Sequence, residues 1–377
     1  MRKVVIAGYA RSPFHLAGKG ALARLRPDDM AAAVVRALVA RSGINDGDIE
    51  DLVLGCAFPE GEQGFNVARV VGLLAGLPLS VGGATLNRFC GSSMSAIHYA
   101  AGQIQLGAGE VFVCGGVESM SRVPMAGFNP SPNPELARSS AAYLGMGETA
   151  EIVAERYGIP RQAQEAFAAE SQRRAAAAQA AGHFADEIVP VSVKGVEVAQ
   201  DGCLRPATTV ETLAGLKPAF RTEGSVTAGT SSPLTDGASA VLVASEDYAR
   251  AKGLPILARI ASVAISGCAP EVMGIGPVHS SHKAMQRAGI TVDDLDVVEL
   301  NEAFAAQALA CMGELGLDPA KVNIDGGALA LGHPLGATGA RIVGKAASLL
   351  ARGGGRYALA TQCIGGGQGI ATVLEAV

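Results

Sequence analysis

Two distant stretches of this 377-residue chain resemble each other, and this repeat limits the fold more than any single element does. Residues 41–55 (RSGINDGDIEDLVLG) align with residues 287–301 (RAGITVDDLDVVELN). In each copy a helix ends at a glycine, an acidic turn follows and an apolar strand begins. Each copy then leads to a reactive residue before a helical pattern, Cys90 in the first and His333 in the second. The repeat predicts two similar α/β halves packed face to face.

The order of elements also predicts how the chain is divided. Strands alternating with helices favour mostly parallel sheets covered by helices. A different region separates the two copies: it begins with the polar, Pro-rich stretch 128–134 and continues with an Ala-rich helix from 160 to a stop at 182. An insertion of this size over an active-site face is typical of a lid or substrate-binding unit. The predicted domains are an N-terminal half at 1–118, completed by about 235–250, an inserted loop domain at 119–234 and a C-terminal half at 251–377.

Composition excludes several classes of protein. The net charge is −5 and no block of Lys or Arg stands out, which argues against a nucleic-acid surface. Seven cysteines without paired spacing indicate reduced thiols and a cytoplasmic location. We expect no membrane span, because polar residues and glycines break the uncharged stretches, and the short apolar run at residues 4–8 predicts a first strand rather than a signal peptide.

The sequence predicts no metal site. It contains no Cys-x-x-Cys, and His279 and His282 form its only close histidine pair. Two histidines on a helix are more often a solvated face than a pair of ligands. The same absence of close Cys and His spacing argues against a redox or metal-binding cysteine protein.

Cys90 is the candidate nucleophile. It lies in the run NRFCGSS at 87–93, before a helical pattern whose residues 94, 97, 101 and 104 form an apolar face. A thiol at a helix N-terminus is expected to have a lowered pKa, which favours the thiolate. The alternative is a small buried hydrophobic residue, the usual fate of a free cysteine. The small residues that follow Cys90 favour catalysis, because they let a substrate approach the sulfur.

Three further residues lie in settings that suit carbon–carbon chemistry. His333, between a glycine and a proline, can take a thiol proton and stabilise negative charge, or it can be a buried core histidine. Cys363 follows an apolar strand and enters three glycines, whose N–H groups can bind an oxyanion. This turn is not a dinucleotide motif, because residues 370–374 predict a strand instead of a helix. Asn301 closes the strand of the second repeat and can hold a water or a carbonyl, or can cap a helix.

Together these motifs resemble the thiolase family, in particular its degradative 3-ketoacyl-CoA thiolases. The match extends from ARSPF at 10–14 to CIGGGQG at 363–369. The resemblance implies an α/β fold of the thiolase type, with two repeated halves in a five-layered αβαβα arrangement and an inserted loop domain. It also implies that Cys90 becomes acylated, that His333 activates Cys90, and that Cys363 exchanges a proton with the α-carbon of acetyl-CoA.

The resemblance assigns further residues by motif. Asn301 would hold a water that forms one oxyanion hole with His333, and the backbone N–H groups of Cys90 and Gly365 would form a second. The positions that match coenzyme A contacts in relatives are Arg205, Phe220, Ala228 and Ser232, and those that match the pantetheine and acyl channel are Met146 and Phe304.

The implied enzyme is an acetyl-CoA C-acyltransferase of the fatty-acid β-oxidation type. It would cleave 3-ketoacyl-CoA with CoA to acetyl-CoA and a shortened acyl-CoA, with CoA as a substrate, no cofactor and no metal. The run YLGMG at 143–147 lacks the histidine that precedes the loop methionine in the biosynthetic branch, and the loop before it is short. Both features favour a medium or longer acyl chain. Two alternatives stay open: an acetoacetyl-CoA thiolase (acetyl-CoA C-acetyltransferase) working in the condensation direction, and a β-ketoadipyl-CoA thiolase.

Two other classes of protein fit this sequence less well. A decarboxylating ketosynthase would carry a second histidine in place of Asn301 and would not need Cys363. A catalytically silent acyl-CoA- or lipid-binding relative would not need the full set of reactive residues that this chain has. The resemblance further implies a homodimer or homotetramer, and in some relatives a hydratase/dehydrogenase partner subunit.

Overall fold

The computed structural model describes residues 2–377 and contains elements in the predicted alternation. The strands are β1 Val4–Arg11, β2 His15–Leu16, β3 Ile49–Gly55, β4 Gly82–Leu86, β5 Val111–Ser119, β6 Val191–Val193, β7 Val196–Val198, β8 Thr235–Ser245, β9 Ala258–Gly267, β10 Leu295–Leu300, β11 Tyr357–Ile364 and β12 Gln368–Glu375. The helices are α1 Pro27–Ser42, α2 Val67–Ala75, α3 Ser92–Leu106, α4 Pro134–Ser139, α5 Met146–Arg156, α6 Arg161–Ala180, α7 Val210–Ala214, α8 Glu246–Ala251, α9 Gly276–Ala288, α10 Ala305–Leu315, α11 Ala328–Leu331 and α12 Leu335–Gly353.

The strands form two equivalent sets. The first half has the order β4-β3-β5-β8-β1 and the second has β10-β11-β12-β9, with a single parallel bridge from Val298 to Val322 in the place that β4 occupies in the first half. The sets meet where β1 pairs with β9, at Val5 with Arg259 and Ile6 with Ala258. The two halves therefore share one strand order, which places their corresponding turns at corresponding ends.

The expectation of mostly parallel sheets is wrong. Only β3 with β4, β3 with β5, and β10 with β11 pair in parallel among the named strands of residues 2–377. The last two strands of the second half, β11 and β12, are joined by the short turn 365–367, which is too short for a parallel crossover, so they pair antiparallel. In each half the first strand also pairs antiparallel with the last strand: β1 pairs with β8, and β9 pairs with β12.

The helices complete five layers. We call the strand sets of the two halves the first and the second sheet. Helices α1 and α2 cover the outer face of the first sheet, and α9 and α10 cover the outer face of the second. Helices α3 and α12 lie between the sheets, and α12 packs against strands of both. Nearly all of α12 is buried, as is typical of a helix with protein on every side. Gly339 allows this close packing, because a Cβ there would lie 2.4 Å from the backbone nitrogen of Met94.

The middle layer determines where the two reactive turns meet. Cys90 precedes α3 by two residues and His333 precedes α12 by two. Because α3 and α12 pack against each other between the sheets, their N-terminal ends bring the two turns together. Segment 119–234 carries α4 to α7 and the β6–β7 hairpin, and β8 then returns the chain to the first sheet between β1 and β5. The predicted domain boundaries stay predictions.

Candidate active site

Cys90 lies in a strained turn between β4 and α3. Phe89 has a φ of 43°, in the left-handed region that a bulky residue rarely adopts. Local hydrogen bonds hold the turn: the Phe89 N–H donates to Asn87 Oδ1 at 2.9 Å, and the Ser92 hydroxyl donates to the Phe89 carbonyl at 2.6 Å. Strain of this kind is found at functional sites, where the surroundings force the backbone into one conformation.

His333 is held through both ring nitrogens. Its Nδ1 lies 2.6 Å from the Thr338 hydroxyl oxygen, and its Nε2 lies 3.4 Å from Asn301 Nδ2. The Thr338 hydroxyl has its own acceptor, the Pro334 carbonyl at 3.3 Å. We therefore assign the proton to Nδ1, which donates to Thr338. In this tautomer Nε2 carries a lone pair, which can accept a hydrogen bond from the Asn301 amide or take a proton.

The two turns open onto one cleft. Cys90, His333 and Cys363 all line a cavity with a volume of about 440 Å³. Most of its other walls are apolar: Met120, Met125, Met146, Ala219, Phe220, Pro233, Leu234, Met273, Ala303, Phe304 and Leu335. Two thiols and an imidazole in an apolar cleft can exchange protons at carbon away from bulk water.

Two further predicted residues lie next to the imidazole and the thiol. Asn301 is fully buried, and its side-chain oxygen has no hydrogen-bond partner among residues 2–377. The backbone N–H of Gly365 lies against the Cys90 thiol, where it lowers the thiol's pKa. Both positions therefore supply polar groups to the reactive sulfur or to the imidazole.

Burial keeps the resting site uncharged. It raises the pKa of Cys90 to about 11, although N–H groups of Gly365 and of Cys90 itself oppose this. It raises the pKa of Cys363 well above its usual value, and the neighbouring Cys90 adds to that shift. Burial, and then the Arg341 charge, lower the pKa of His333 to about 3. The expected lowering of the Cys90 pKa by the helix N-terminus is therefore wrong, because desolvation of the thiolate outweighs the helix dipole.

The structure divides the predicted substrate contacts into two groups. Met146, Phe220, Ser232 and Phe304 line the cleft, and the rings of Phe220 and Phe304 meet edge to face at 6.0 Å. Arg205 and Ala228 do not reach this cleft. They line a small adjoining cavity of about 30 Å³ that shares Ser231 and Pro233 with it.

Several residues at the site escaped the sequence analysis. The methionines at 120, 125 and 273 line the cleft, and Thr338 and Thr235 hold His333. Thr338 could have been found, because it lies in the same Gly-rich motif and one helical turn into α12. Glu118 could not: its carboxylate accepts N–H groups of Ala57 at 2.8 Å and of Gly336 at 2.9 Å, two segments that only the fold brings together.

Comparisons with known proteins agree with this geometry. The family described as Thiolase, N-terminal domain matches residues 4–247, and that described as Thiolase, C-terminal domain matches residues 254–376. The chain belongs to the thiolase family. This finding confirms the predicted family and fold and the prediction of an acyltransferase enzyme.

Similar proteins match along their whole length. A 3-ketoacyl-CoA thiolase of Bacillus subtilis is 46% identical, with 100% of both chains covered. One of Vibrio cholerae serotype O1 is 48% identical, also over 100% of both chains. Among solved structures, one similar protein is human mitochondrial 3-ketoacyl-CoA thiolase in complex with CoA, with 38% sequence identity and a TM-score of 0.92. The match covers 100% of this chain and 98% of the human chain.

No helix within residues 2–377 is both long enough and apolar enough to cross a membrane. In the same residues, no group of three or more His, Cys, Asp or Glu side chains is arranged to hold a metal ion.

Proposed function

We propose that this protein cleaves 3-ketoacyl-CoA with CoA, giving acetyl-CoA and a shortened acyl-CoA, as a degradative thiolase. The observation that carries the proposal is the convergence of Cys90, His333 and Cys363 on one apolar cleft. Full-length similarity to 3-ketoacyl-CoA thiolases supports this degradative function. CoA is a substrate in this reaction, which needs no cofactor.

The first half-reaction forms an acyl-enzyme. His333 Nε2 takes the Cys90 proton, and the thiolate attacks the 3-keto carbon. The N–H groups of Cys90 and Gly365 stabilise the oxyanion that forms there. When the C2–C3 bond breaks, the acyl group stays on Cys90 and the electron pair forms the enolate of acetyl-CoA. His333, now protonated, and a water held by Asn301 stabilise that enolate, and the Cys363 thiol donates its proton to C2.

The second half-reaction restores the site. The Cys363 thiolate takes the proton of free CoA, and the CoA sulfur attacks the thioester on Cys90. Acyl-CoA leaves, and Cys90 regains its proton from His333. The proton that Cys363 gave to C2 is replaced by the proton of CoA, so the neutral resting state described above is re-formed after every turnover. A covalent intermediate between two products predicts ping-pong kinetics.

The cleft favours an alkyl chain over a dicarboxylic one. Among the described residues that line it, Glu148 is the only charged side chain, and its carboxylate already pairs with Arg221 at 2.8 Å. A distal carboxylate on the substrate would find no unpaired cation among these lining residues and would lose its hydration without a partner. This argues against the β-ketoadipyl-CoA alternative. The methionines and leucines of the wall favour acyl chains longer than that of acetoacetyl-CoA.

Brief exposure to 3-ketooctanoyl-CoA without free CoA tests the proposal. Intact-protein mass and peptide mapping should show a hexanoyl adduct on Cys90, and the Cys90→Ala variant should show none. An adduct only with acetoacetyl-CoA would support the short-chain alternative. Absence of an adduct with either substrate would contradict the proposed function.

We also propose a homodimer formed through the edge of the first sheet. Among residues 2–377, strand β4 pairs only with β3, which leaves its outer edge open. Beside it lie exposed apolar side chains, of which Phe65 is 96%, Leu79 80% and Leu106 82% exposed. An open edge flanked by apolar side chains suits a second copy of this chain. Sedimentation should give a dimer, and Leu79→Asp should shift it toward monomer; a wild-type monomer would contradict the dimer.

We also propose a cytoplasmic location and a hydratase/dehydrogenase partner subunit. The free cysteines at seven positions support a reducing, cytoplasmic location. A hydratase/dehydrogenase partner subunit rests on the resemblance alone.

A further inference from the structure

Gln362 is a polar side chain at a position that the strand pattern assigns to the apolar core. It lies in β11 between Ala360 and Ile364, which face the middle layer of the fold. Cys363, the next residue, faces the opposite side, toward the cleft. Gln362 is completely buried, so its amide is expected to serve a specific hydrogen bond.

That hydrogen bond goes to the nucleophile's own backbone. Gln362 Nε2 donates to the carbonyl oxygen of Cys90, in the other half of the molecule. This carbonyl accepts no backbone hydrogen bond in the described chain, residues 2–377. The Cys90 turn also packs directly on β11: a Cβ at Gly91 would lie 2.5 Å from Ile364 Cδ1. Strand β11 therefore holds the turn both by packing and by one directed hydrogen bond.

The side-chain oxygen of Gln362 lowers the stability of the fold. This atom, Oε1, is buried and has no hydrogen-bond partner within residues 2–377. A buried polar atom without a partner destabilises the folded state. An apolar side chain of the same size would avoid that cost but would leave the Cys90 carbonyl without a donor, so the glutamine serves the contact with the Cys90 turn.

The matching strand position in the first half carries no side chain. Its matching strand position is Gly116, because β5 and β11 have the same register against their parallel neighbours. A Cβ at Gly116 would lie 2.1 Å from the carbonyl oxygen of Gly336, in the turn region that follows His333. The segment after His333 therefore packs against the backbone of β5, whereas the Cys90 turn is contacted by the side-chain amide of Gln362 in β11.

We propose that Gln362 is a positioning residue that fixes the Cys90 N–H relative to the Gly365 N–H, so that both point at one oxyanion. Gly365 follows Gln362 by three residues in the same strand and turn, and Gln362 holds the carbonyl of Cys90. One short segment therefore sets the position of both donors. The inference rests on the proposed function in one respect: Cys90 must be the residue that becomes acylated.

The test compares two reactions of the same sulfur. Acylation by a 3-ketoacyl-CoA passes through an oxyanion, whereas alkylation by iodoacetamide needs the thiolate but no oxyanion hole. Gln362→Met keeps the length of the side chain and removes the donor. A matched control is Gln164→Leu, because Gln164 is also fully buried with an unpartnered Oε1 but lies in α6.

We expect Gln362→Met to slow single-turnover acylation on the order of 10-fold, less than the loss of a complete oxyanion donor. KM should stay at the wild-type value, and alkylation should slow less than acylation does, because burial outweighs the two N–H groups in setting the pKa of the Cys90 thiol. Gln362→Leu should behave like Gln362→Met, and Gln164→Leu should acylate at the wild-type rate.

Two outcomes would overturn the proposal: wild-type acylation in both Gln362 variants, or a parallel fall in acylation and alkylation, which would indicate a displaced or inaccessible thiol. Failure of the proposed function is a separate result, since the wild-type protein itself would then form no acyl-enzyme.

Discussion

The two halves of this molecule share a strand order and a register, yet they carry different chemistry. In the first half Leu54 pairs with Gly115, and in the second Leu300 pairs with Thr361. Counting forward from these pairs, Gly55 occupies the place of Asn301. By the same count, Val117 occupies the place of Cys363.

The difference shows what each strand end is used for. A Cβ at Gly55 would lie 2.3 Å from the backbone nitrogen of Ser93, so this position must stay small for α3 to begin where it does. Val117 is fully buried in the core under α1. Asn301 and Cys363, at the same places in the second half, supply the imidazole contact and a cleft thiol. The first half thus contributes the proposed nucleophile and packing, and the second half contributes the groups that we propose to move protons.

The matched pair Cys363 and Val117 gives the largest contrast. Cys363→Ala removes the proposed proton donor to carbon and should lower turnover by about 10³-fold, within the range of general acid–base effects. Val117→Ala should keep turnover near wild type but lower the free energy of unfolding by about 2 kcal/mol, because it leaves a gap in the core. Steady-state kinetics and denaturant unfolding of both variants separate the two effects.

Equal losses of activity in the two variants would contradict this division between the halves. Mass analysis provides a further check: Cys363→Ala should still accumulate the adduct on Cys90 from short acyl-CoA thioesters, because acyl transfer to the nucleophile needs no proton at carbon.

Asn301→Ala should lower turnover on the order of 10²-fold, comparable with the loss of one oxyanion donor. The lost group stabilises the enolate, so exchange of the methyl protons of acetyl-CoA with deuterated solvent should slow as well. The rate of Cys90 alkylation should not change. Unaltered proton exchange in Asn301→Ala would place this residue outside enolate stabilisation.

Thr338→Val should reduce turnover about 10-fold, whereas Thr338→Ser should retain most of it. The valine removes the acceptor for His333 Nδ1–H, found at 2.6 Å, and so allows the wrong tautomer to form. The expected loss is smaller than that for removal of a complete general base, because the variant changes only the fraction of His333 in the active tautomer. If the serine variant is as slow as the valine variant, the hydroxyl does not set the tautomer.

Much of the fold could be predicted because its signals are local. The repeat at 41–55 and 287–301 marks a helix end, an acidic turn and a strand, and all three occur in each half. The long helix expected from 160 to 182 is α6 at Arg161–Ala180, since proline and glycine mark its ends. Whether neighbouring strands pair parallel or antiparallel could not be predicted, because this depends on which strands lie side by side in the folded chain.

The site was predictable in its residues and less so in its electrostatics. Glycine-rich turns identify Cys90 and His333 because each must expose a side chain at a tight bend. The pKa of Cys90 depends on desolvation by segments far away in sequence and, to a smaller extent, on the negative charge of the Glu118 carboxylate, which also raises it. The sequence reveals that Cys90 precedes a helix, whose N-terminus would lower that pKa. It does not reveal how deeply the thiol is buried, and burial is the larger effect.

The smallest expected effect tests this electrostatic balance. With the pKa of Cys90 at about 11, the thiolate fraction rises as pH rises, so iodoacetamide alkylation of the free enzyme should increase from pH 7 to pH 10 without a plateau. Glu118→Gln removes a negative charge near the sulfur, favours the thiolate and lowers the pKa, so alkylation at pH 8 should be a few-fold faster, about the size expected for one partly screened charge. A plateau near pH 7 in the wild-type protein would mean that the helix N-terminus controls the thiol. An unchanged profile in Glu118→Gln would remove this carboxylate from the balance and leave burial alone as the reason that Cys90 rests as a thiol.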